Sequence, residues 1–184
     1  ALVDENGELF GEEYTLVAVA DYLLKNKKGV AVSNLSSSRA LRDVAKSHGS
    51  EYFASAVGEV NVVTLMKEKN AVIGGEGNGG IIYPDLHYGR DSLVGVALFL
   101  THLAKENKTV SELRATYPSY FMGKKKIELT PDIDVDSLLT KMQKEYQNEE
   151  VSTVDGVKID FEKNWVHLRK SNTEPIIRIY TEAF

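Results

Sequence analysis

The chain contains no cysteine, which excludes a disulfide scaffold, a thiolate metal site and a cysteine nucleophile. Proline is scarce at four residues, and glycine numbers 14 of 184, too few for a fibrous repeat or a low-complexity disordered segment. No apolar run comes near the ~20 residues of a membrane-spanning helix, and the opening residues do not read as a signal peptide. These absences lead us to expect a soluble, cytoplasmic protein with no membrane partner. Positive charge is not in excess either: 22 Lys and Arg face 27 Asp and Glu, for a net charge of -5, which weighs against nucleic acid as a partner.

What is present is an ordinary globular composition, 42% hydrophobic and 27% charged. A chain of this length buries about 70% of its unfolded surface, and at roughly 150 residues per domain it makes one large domain or two small ones. Ala1-Leu2-Val3 runs toward an Asn6-Gly7 turn with no initiator Met, and a strand over Ile176 to Tyr180 is followed almost at once by Phe184. We expect the chain to be cut from a longer polypeptide.

Apolar spacing predicts helices over residues 14–28, 38–48 and 59–70, separated by short apolar strands at 30–32, 52–54 and 71–73. Alternation of this kind argues α/β layering around a largely parallel sheet. A long apolar helix over 91–105, carrying Leu93, Val94, Val96, Ala97, Leu100 and Leu103, is followed by a capping box at Thr109-Val110-Ser111-Glu112 and a stop before Pro118. Beyond that point the pattern changes. A strand at 127–129, a helix over 136–146, a hairpin turning on Asp155-Gly156 and strands at 165–168 and 176–180 predict a smaller α+β unit with an antiparallel sheet. The boundary is expected near Tyr117, giving domains 1–117 and 118–184.

Two loops carry chemistry. Gly75-Glu76-Gly77-Asn78-Gly79-Gly80 satisfies G-x-G-x-x-G in form, but a dinucleotide fingerprint needs a helix after the turn. Here Ile81-Ile82-Tyr83-Pro84 follows, which is extended, and Glu76 would repel a phosphate. With the nucleotide reading rejected, Glu76 offers hydrogen-bond acceptors and Asn78 both donor and acceptor, a pair suited to vicinal sugar hydroxyls. From spacing alone, a tight connection between strands is the favoured reading of the glycines. The second loop, Arg169-Lys170-Ser171-Asn172-Thr173-Glu174-Pro175, groups a guanidinium, an ammonium, two hydroxyls and a carboxamide. That set can grip a phosphate, or it can form a polar turn ahead of an X-Pro step.

Taken together, the loops resemble those of the phosphohexomutase superfamily, the phosphoglucomutases, phosphomannomutases and phosphoglucosamine mutases. Gly75-Glu76-Gly77-Asn78-Gly79 is similar to the G-E-x-S-G sugar loop of the family's third domain. Arg169 to Pro175 matches the R-x-S-N/G-T-E-P phosphate loop of its fourth without gaps. The segments Gly58-Glu59-Val60-Asn61-Val62 and Tyr88-Gly89-Arg90-Asp91-Ser92 are also similar to family segments, so the resemblance spans essentially the whole chain. It departs from the family at Asn78, where many members have serine, and at Gly80, where many have histidine. A lysine and a histidine that contact substrate in some members have no counterpart around Asn34 and Glu59.

The resemblance implies a parent isomerase of carbohydrate metabolism that moves a phosphoryl group between O1 and O6 of a hexose through a phosphoserine and a hexose bisphosphate. It implies magnesium as a cofactor of that parent and hexose 1,6-bisphosphate as its activator. The serine loop and the magnesium loop have no match here, so no catalytic and no metal residue is expected in this chain. The isolated chain is expected to be inactive, its partners being a phosphorylated hexose and the missing N-terminal domains of the same polypeptide. Glu76, Asn78 and Gly79 would bind substrate hydroxyls; Arg169, Ser171, Asn172 and Thr173 would bind the phosphate. The alternative is a non-catalytic sugar-phosphate-binding or protein-interaction module.

Three other segments are decoys. Asp132-Ile133-Asp134-Val135-Asp136 imitates an EF-hand, but Ser137 and Gln143 stand where that loop needs glycine and glutamate; the aspartates are expected to cap a helix. Ser36-Ser37-Ser38-Arg39 reads as an N-cap rather than a nucleophile, and His87 between Asp85 and Asp91 as structural rather than a zinc ligand.

Overall fold

The computed structural model describes residues 1–130, 133–171 and 174–184. The chain forms two units, Ala1–Pro118 and Ser119–Phe184.

In the first unit, helix α1 (Glu12–Asn26) begins after Gly11, with Glu12 and Glu13 in its first turn, where carboxylates favour the positive end of the helix dipole. Strand β1 (Ala31–Asn34), helix α2 (Ala40–Ser47), strand β2 (Tyr52–Ser55), helix α3 (Glu59–Glu68), strand β3 (Ile73–Glu76) and strand β4 (Gly80–Ile82) follow. The sheet order is β2-β1-β3-β4, parallel except for β4. The crossovers β1-α2-β2 and β2-α3-β3 run in opposite directions across the sheet, so the right-handed rule sends α2 and α3 to opposite faces. Helix α1 packs on α2 and on α4 (Ser92–Glu106), which completes a three-layer α/β sandwich with α3 alone on the far side. All four residues of β1 are buried, as expected of a strand covered on both faces. On the α3 side, Val62 and Met66 pack with Val32, Ala71 and Ile82.

The long apolar helix has the expected extent, but it buries only Gly95, Phe99 and His102, leaving Leu93, Val96 and Leu100 exposed. The short α5 (Val110–Arg114) starts at the predicted capping box, Thr109 and Glu112 exchanging hydrogen bonds.

The second unit is an antiparallel sheet of order β5-β9-β8-β7-β6, from β5 (Phe121–Glu128), β6 (Glu150–Ser152), β7 (Val157–Asp160), β8 (Asn164–Lys170) and β9 (Ile176–Ala183). Helix α6 (Val135–Glu145) places Val135 and Leu139 against Leu168, Ile177 and their neighbours. Asp134 caps α6, accepting from Ser137 N at 3.1 Å and Ser137 Oγ at 2.8 Å; Asp132 lies outside the described residues. Trp165 is fully buried, its Nε1 donating to Glu182 Oε1 at 2.8 Å.

Candidate functional site

Open α/β sheets bind ligands beyond the carboxyl ends of their parallel strands, and Glu76 is the last residue of β3. Strand β3 takes up Gly74, Gly75 and Glu76, so Glu76 is not displayed on a free loop but buried at 8% exposure. It pairs in register with Gly80 of β4 across a turn of Gly77, Asn78 and Gly79. Two glycines are obligatory there. A Cβ on Gly75 would overlap the Gly80 carbonyl oxygen, and Gly79 has φ +82°, a conformation that side chains disfavour.

A hydrogen-bond network fixes the glutamate. Asn34, ending β1, donates from Nδ2 to Glu76 Oε1 at 2.9 Å. Its own Oδ1 accepts from Ser36 N at 2.9 Å and Ser37 Oγ at 3.1 Å, which leaves its amide one orientation. Gly77 N donates to Ser37 Oγ at 3.0 Å, tying the β1 loop to the glycine turn. The serines therefore do more than start a helix. Ser38 Oγ accepts from Ala40 N at 3.1 Å, but Arg39, at the N-cap of α2, caps it with no side-chain bond. Ser38 thus serves the first turn of α2 from one residue ahead of the N-cap, while Ser37 Oγ is claimed by Asn34 and Gly77 instead.

Glu76 Oε2 accepts no hydrogen bond from a described residue; the Arg90 guanidinium stands 3.8 Å from it. Arg90 is held by Glu59, whose Oε2 accepts from Arg90 Nε at 2.7 Å and whose Oε1 accepts from Arg90 N at 3.3 Å. Asn78 Oδ1 is spent on Gly80 N at 3.1 Å, so the exposed Asn78 presents its amide nitrogen, a donor. Beside Asn78 and Gly79 a cavity of about 170 Å³ is lined further by Thr15, Ser92 and Val96. Asp91 caps α4, accepting from Leu93 N and Val94 N. Those backbone donors and His87 hold its carboxyl below the usual range. His87 is committed to Asp91 at 3.1 Å through Nε2 and to Gly89 N at 3.0 Å through Nδ1.

In the second unit Arg169 sits near the end of β8, with its guanidinium 3.7 Å from Asp155 Oδ2. Arg169 Nε is buried with no partner among the described residues. Ser171 is buried at 8% exposure, its N–H donating to Ile176 O at 3.0 Å. Arg178 donates to Glu174 Oε2 at 2.7 Å across the loop, and Leu129 N donates to Pro175 O at 2.8 Å. Asn172 and Thr173 lie outside the described residues. Next to the loop, burial pushes the His167 imidazole down in pKa, and its Nε2 donates to Asp155 O at 2.6 Å.

The structure thus brings Glu76, Asn78 and Gly79 together on one hairpin and, in the other unit, places Arg169 near the end of β8 with Ser171 just beyond that strand. Sequence reasoning missed Asn34, Ser37, Glu59 and Arg90. Asn34 had a signal, a polar residue closing a buried parallel strand; Glu59 and Arg90 stood in segments similar to family segments, but nothing in the sequence pairs two residues 31 positions apart.

Comparison with known proteins gives a consistent result. Residues 11–120 match the family described as phosphoglucomutase/phosphomannomutase, alpha/beta/alpha domain III, and residues 125–184 match its C-terminal domain. A phosphoglucomutase/phosphomannomutase of Thermococcus kodakarensis is 37% identical over 182 residues, covering 98% of this chain and 40% of that protein. A phosphoglucosamine/phosphogalactosamine mutase of Sulfurisphaera tokodaii is 37% identical over 164 residues, covering 87% of this chain and 36% of that one. A crystal structure of a phosphoglucomutase/phosphomannomutase family protein from Burkholderia thailandensis shares the fold with a TM-score of 0.80 at 22% identity, over 98% of this chain and 39% of that chain. The chain spans about 40% of the length of the first of these relatives. With its glycine hairpin closing the α/β sheet and its basic loop on the antiparallel one, the chain belongs to the phosphoglucomutase/phosphomannomutase family, of which it carries domain III and the C-terminal domain.

Proposed function

We propose that this chain is the sugar- and phosphate-recognition part of a phosphohexomutase that interconverts hexose 1-phosphate and hexose 6-phosphate through a phosphoserine enzyme and a hexose bisphosphate. The observation that carries the reading is the state of Glu76. Its buried carboxylate is oriented by Asn34 through one oxygen, while the other accepts no hydrogen bond from a described residue. A carboxylate oxygen that is oriented but left without a donor can accept from a ligand, and a ligand hydroxyl is the natural donor. Asn78 adds a donor at the same hairpin and Gly79 lets a ligand approach the backbone.

The phosphate falls to Arg169, Ser171 and, by the motif, Asn172 and Thr173. The unpartnered Arg169 Nε supports this, since a guanidinium edge left without an acceptor suits an anion. A sugar that must react at either end has to bind in two flipped orientations, each offering one phosphate to the same non-reacting site. A fixed phosphate grip and an acceptor–donor pair for hydroxyls serve both orientations. Positioning of this kind supplies much of the rate enhancement in phosphoryl transfer.

Magnesium in the parent would balance phosphate charge during transfer. Among the described residues no group of three His, Asp or Glu side chains could hold a metal ion, and Asp134 is spent on capping α6. No step assigned to these residues runs through a metal. The serine that carries the phosphoryl group and the magnesium ligands belong, on this reading, to other domains of the parent.

The test is turnover. The 184-residue chain, given glucose 1-phosphate, glucose 1,6-bisphosphate and magnesium, is expected to show no conversion by phosphorus NMR. Exchanged for the matching 40% of the Thermococcus kodakarensis relative, it is expected to restore conversion. Turnover by the chain alone, or a folded chimera that binds no hexose phosphate, would contradict the proposal.

A further inference from the structure

Arg90 lies across the glycine hairpin, and three features of the structure hold it there. Glu59 turns its carboxylate onto Arg90 Nε and N, at 2.7 and 3.3 Å. A Cβ at position 80 would stand 2.6 Å from Arg90 Cδ, so the glycine that replaces the family's frequent histidine is what admits the side chain. Ile82 forms an isolated antiparallel bridge with Arg90, and Asp91 N donates to Ile81 O at 2.9 Å, which fixes the Arg90 backbone against β4. The guanidinium is therefore anchored at its Nε edge. No described residue accepts a hydrogen bond from its terminal amino groups.

Those amino groups face Glu76. Nη1 stands 3.8 Å from Glu76 Oε2, too far for a direct hydrogen bond, while an oxygen atom placed between them can lie about 2.9 Å from each. It would accept from Arg90 and donate to Glu76, and a hydroxyl group does both. The charge balance selects among ligand oxygens. Glu59 and Glu76 carry two negative charges against one positive on Arg90, so the cluster is net negative and disfavours phosphate. A neutral sugar hydroxyl meets no such repulsion.

We infer that Arg90 is a further substrate-contacting residue of this site, sharing one hexose hydroxyl with Glu76, and that Glu59 is its positioning residue. This rests on the proposed sugar-binding role of the hairpin and adds a residue that the loop motif does not contain. Gly80 belongs to the same device, since any side chain there displaces the arginine.

The experiment is a titration of the isotope-labelled 184-residue chain with glucose 1-phosphate, reading the amides of residues 76–79 and the Arg90 Nε–H signal, with inorganic phosphate as the comparison ligand. Arg90→Gln is expected to weaken the response of residues 76–79 at least about tenfold, the scale of a lost charge-assisted hydrogen bond, and Arg90→Lys to recover part of it. The response of Ser171 to inorganic phosphate should stay unchanged in both. Gly80→Ala keeps the guanidinium but shifts it, and should match Arg90→Gln, with no further loss in the double variant. Retention of wild-type affinity by a folded Arg90→Gln or Gly80→Ala chain would overturn the Arg90 assignment and leave the sugar reading standing. A wild-type chain whose residues 76–79 ignore glucose 1-phosphate would overturn both.

Discussion

Tyr117 donates its phenolic hydrogen bond to Asp21 Oδ2 at 2.9 Å, joining the end of the first unit to the middle of α1. The same oxygen accepts from His102 Nε2 at 3.2 Å, and Asp21 Oδ1 accepts from His48 Nε2 at 2.6 Å. Burial would raise the Asp21 carboxyl, but the bonds from His102, His48 and Tyr117 outweigh it and hold it at about 2. Burial and the neighbouring carboxylate push the Tyr117 phenol up. Because the folded carboxyl titrates below its ordinary 3.8, ionised Asp21 contributes stability that is present above that value and is lost as pH falls through about 2. The stability difference between the wild type and Asp21→Asn should shrink as pH falls between about pH 4 and pH 2. Denaturant unfolding followed by circular dichroism measures it, and a difference that does not change with pH would contradict the assignment.

Gly75→Ala should be the most damaging glycine substitution in the hairpin. Its Cβ meets the Gly80 carbonyl oxygen, and backbone on a paired strand has nowhere to go, so a loss of about 3 kcal/mol is expected. Gly79→Ala, strained by a φ of +82° but meeting Glu12 O and Thr15 Oγ1 only at ordinary contact distance, should cost about 1 kcal/mol. Equal losses in thermal or denaturant unfolding would show that the hairpin is not as rigid as described.

Asn34→Asp places a second carboxylate where an amide now donates to Glu76 at 2.9 Å. Two carboxylates at that distance cannot both ionise without cost, and one has its pKa raised. A raised folded pKa penalises the ionised form, so the variant should be weaker by about 2 kcal/mol near neutral pH, with the penalty fading as acid protonates the pair. Asn34→Ala, which removes the donor to Glu76 and the acceptor of Ser36 N and Ser37 Oγ but adds no charge, should show no such recovery in acid.

Trp165 is the only tryptophan in the chain, and its buried Nε1 donates to Glu182 at 2.8 Å. Intrinsic fluorescence therefore reports the second unit. Glu182→Ala leaves the indole N–H without this acceptor and should lower the fluorescence-detected stability by about 1 to 3 kcal/mol. An unchanged midpoint would mean that another acceptor replaces the glutamate.

Much of the fold was legible because its elements obey local rules. The helices starting at Thr109 and Asp134 announce themselves through side chains that cap them, and the Asp155-Gly156 turn sets the hairpin of β6 and β7. Where tertiary context decides, the reading fell short. Leu93, Val96 and Leu100 look like a core stripe, yet Gly95, Phe99 and His102 face inward, Gly95 lying close against Ile81 of β4. Lys124, Lys125 and Lys126 do lie on an edge strand, where lysines discourage further pairing, and only the start of β5 at Phe121 went unread, since an edge strand held by the β9 backbone needs no apolar alternation. Of the site, Glu76 and Asn78 were visible in the glycine pattern. Arg90 was not, because its contact with Glu59 depends on how the β4–α4 connection folds back over the hairpin.

The central claim, that the hairpin recognises sugar hydroxyls and the Arg169 loop recognises phosphate, is tested most directly by titrating the labelled chain with three ligands: glucose 1-phosphate, glucose and inorganic phosphate. The account expects the amides of residues 76–79 to move with glucose and with glucose 1-phosphate, and those of Arg169 and Ser171 to move with glucose 1-phosphate and with inorganic phosphate. Shifts in neither segment at high millimolar ligand, or sugar shifts confined to the Arg169 loop, would contradict it.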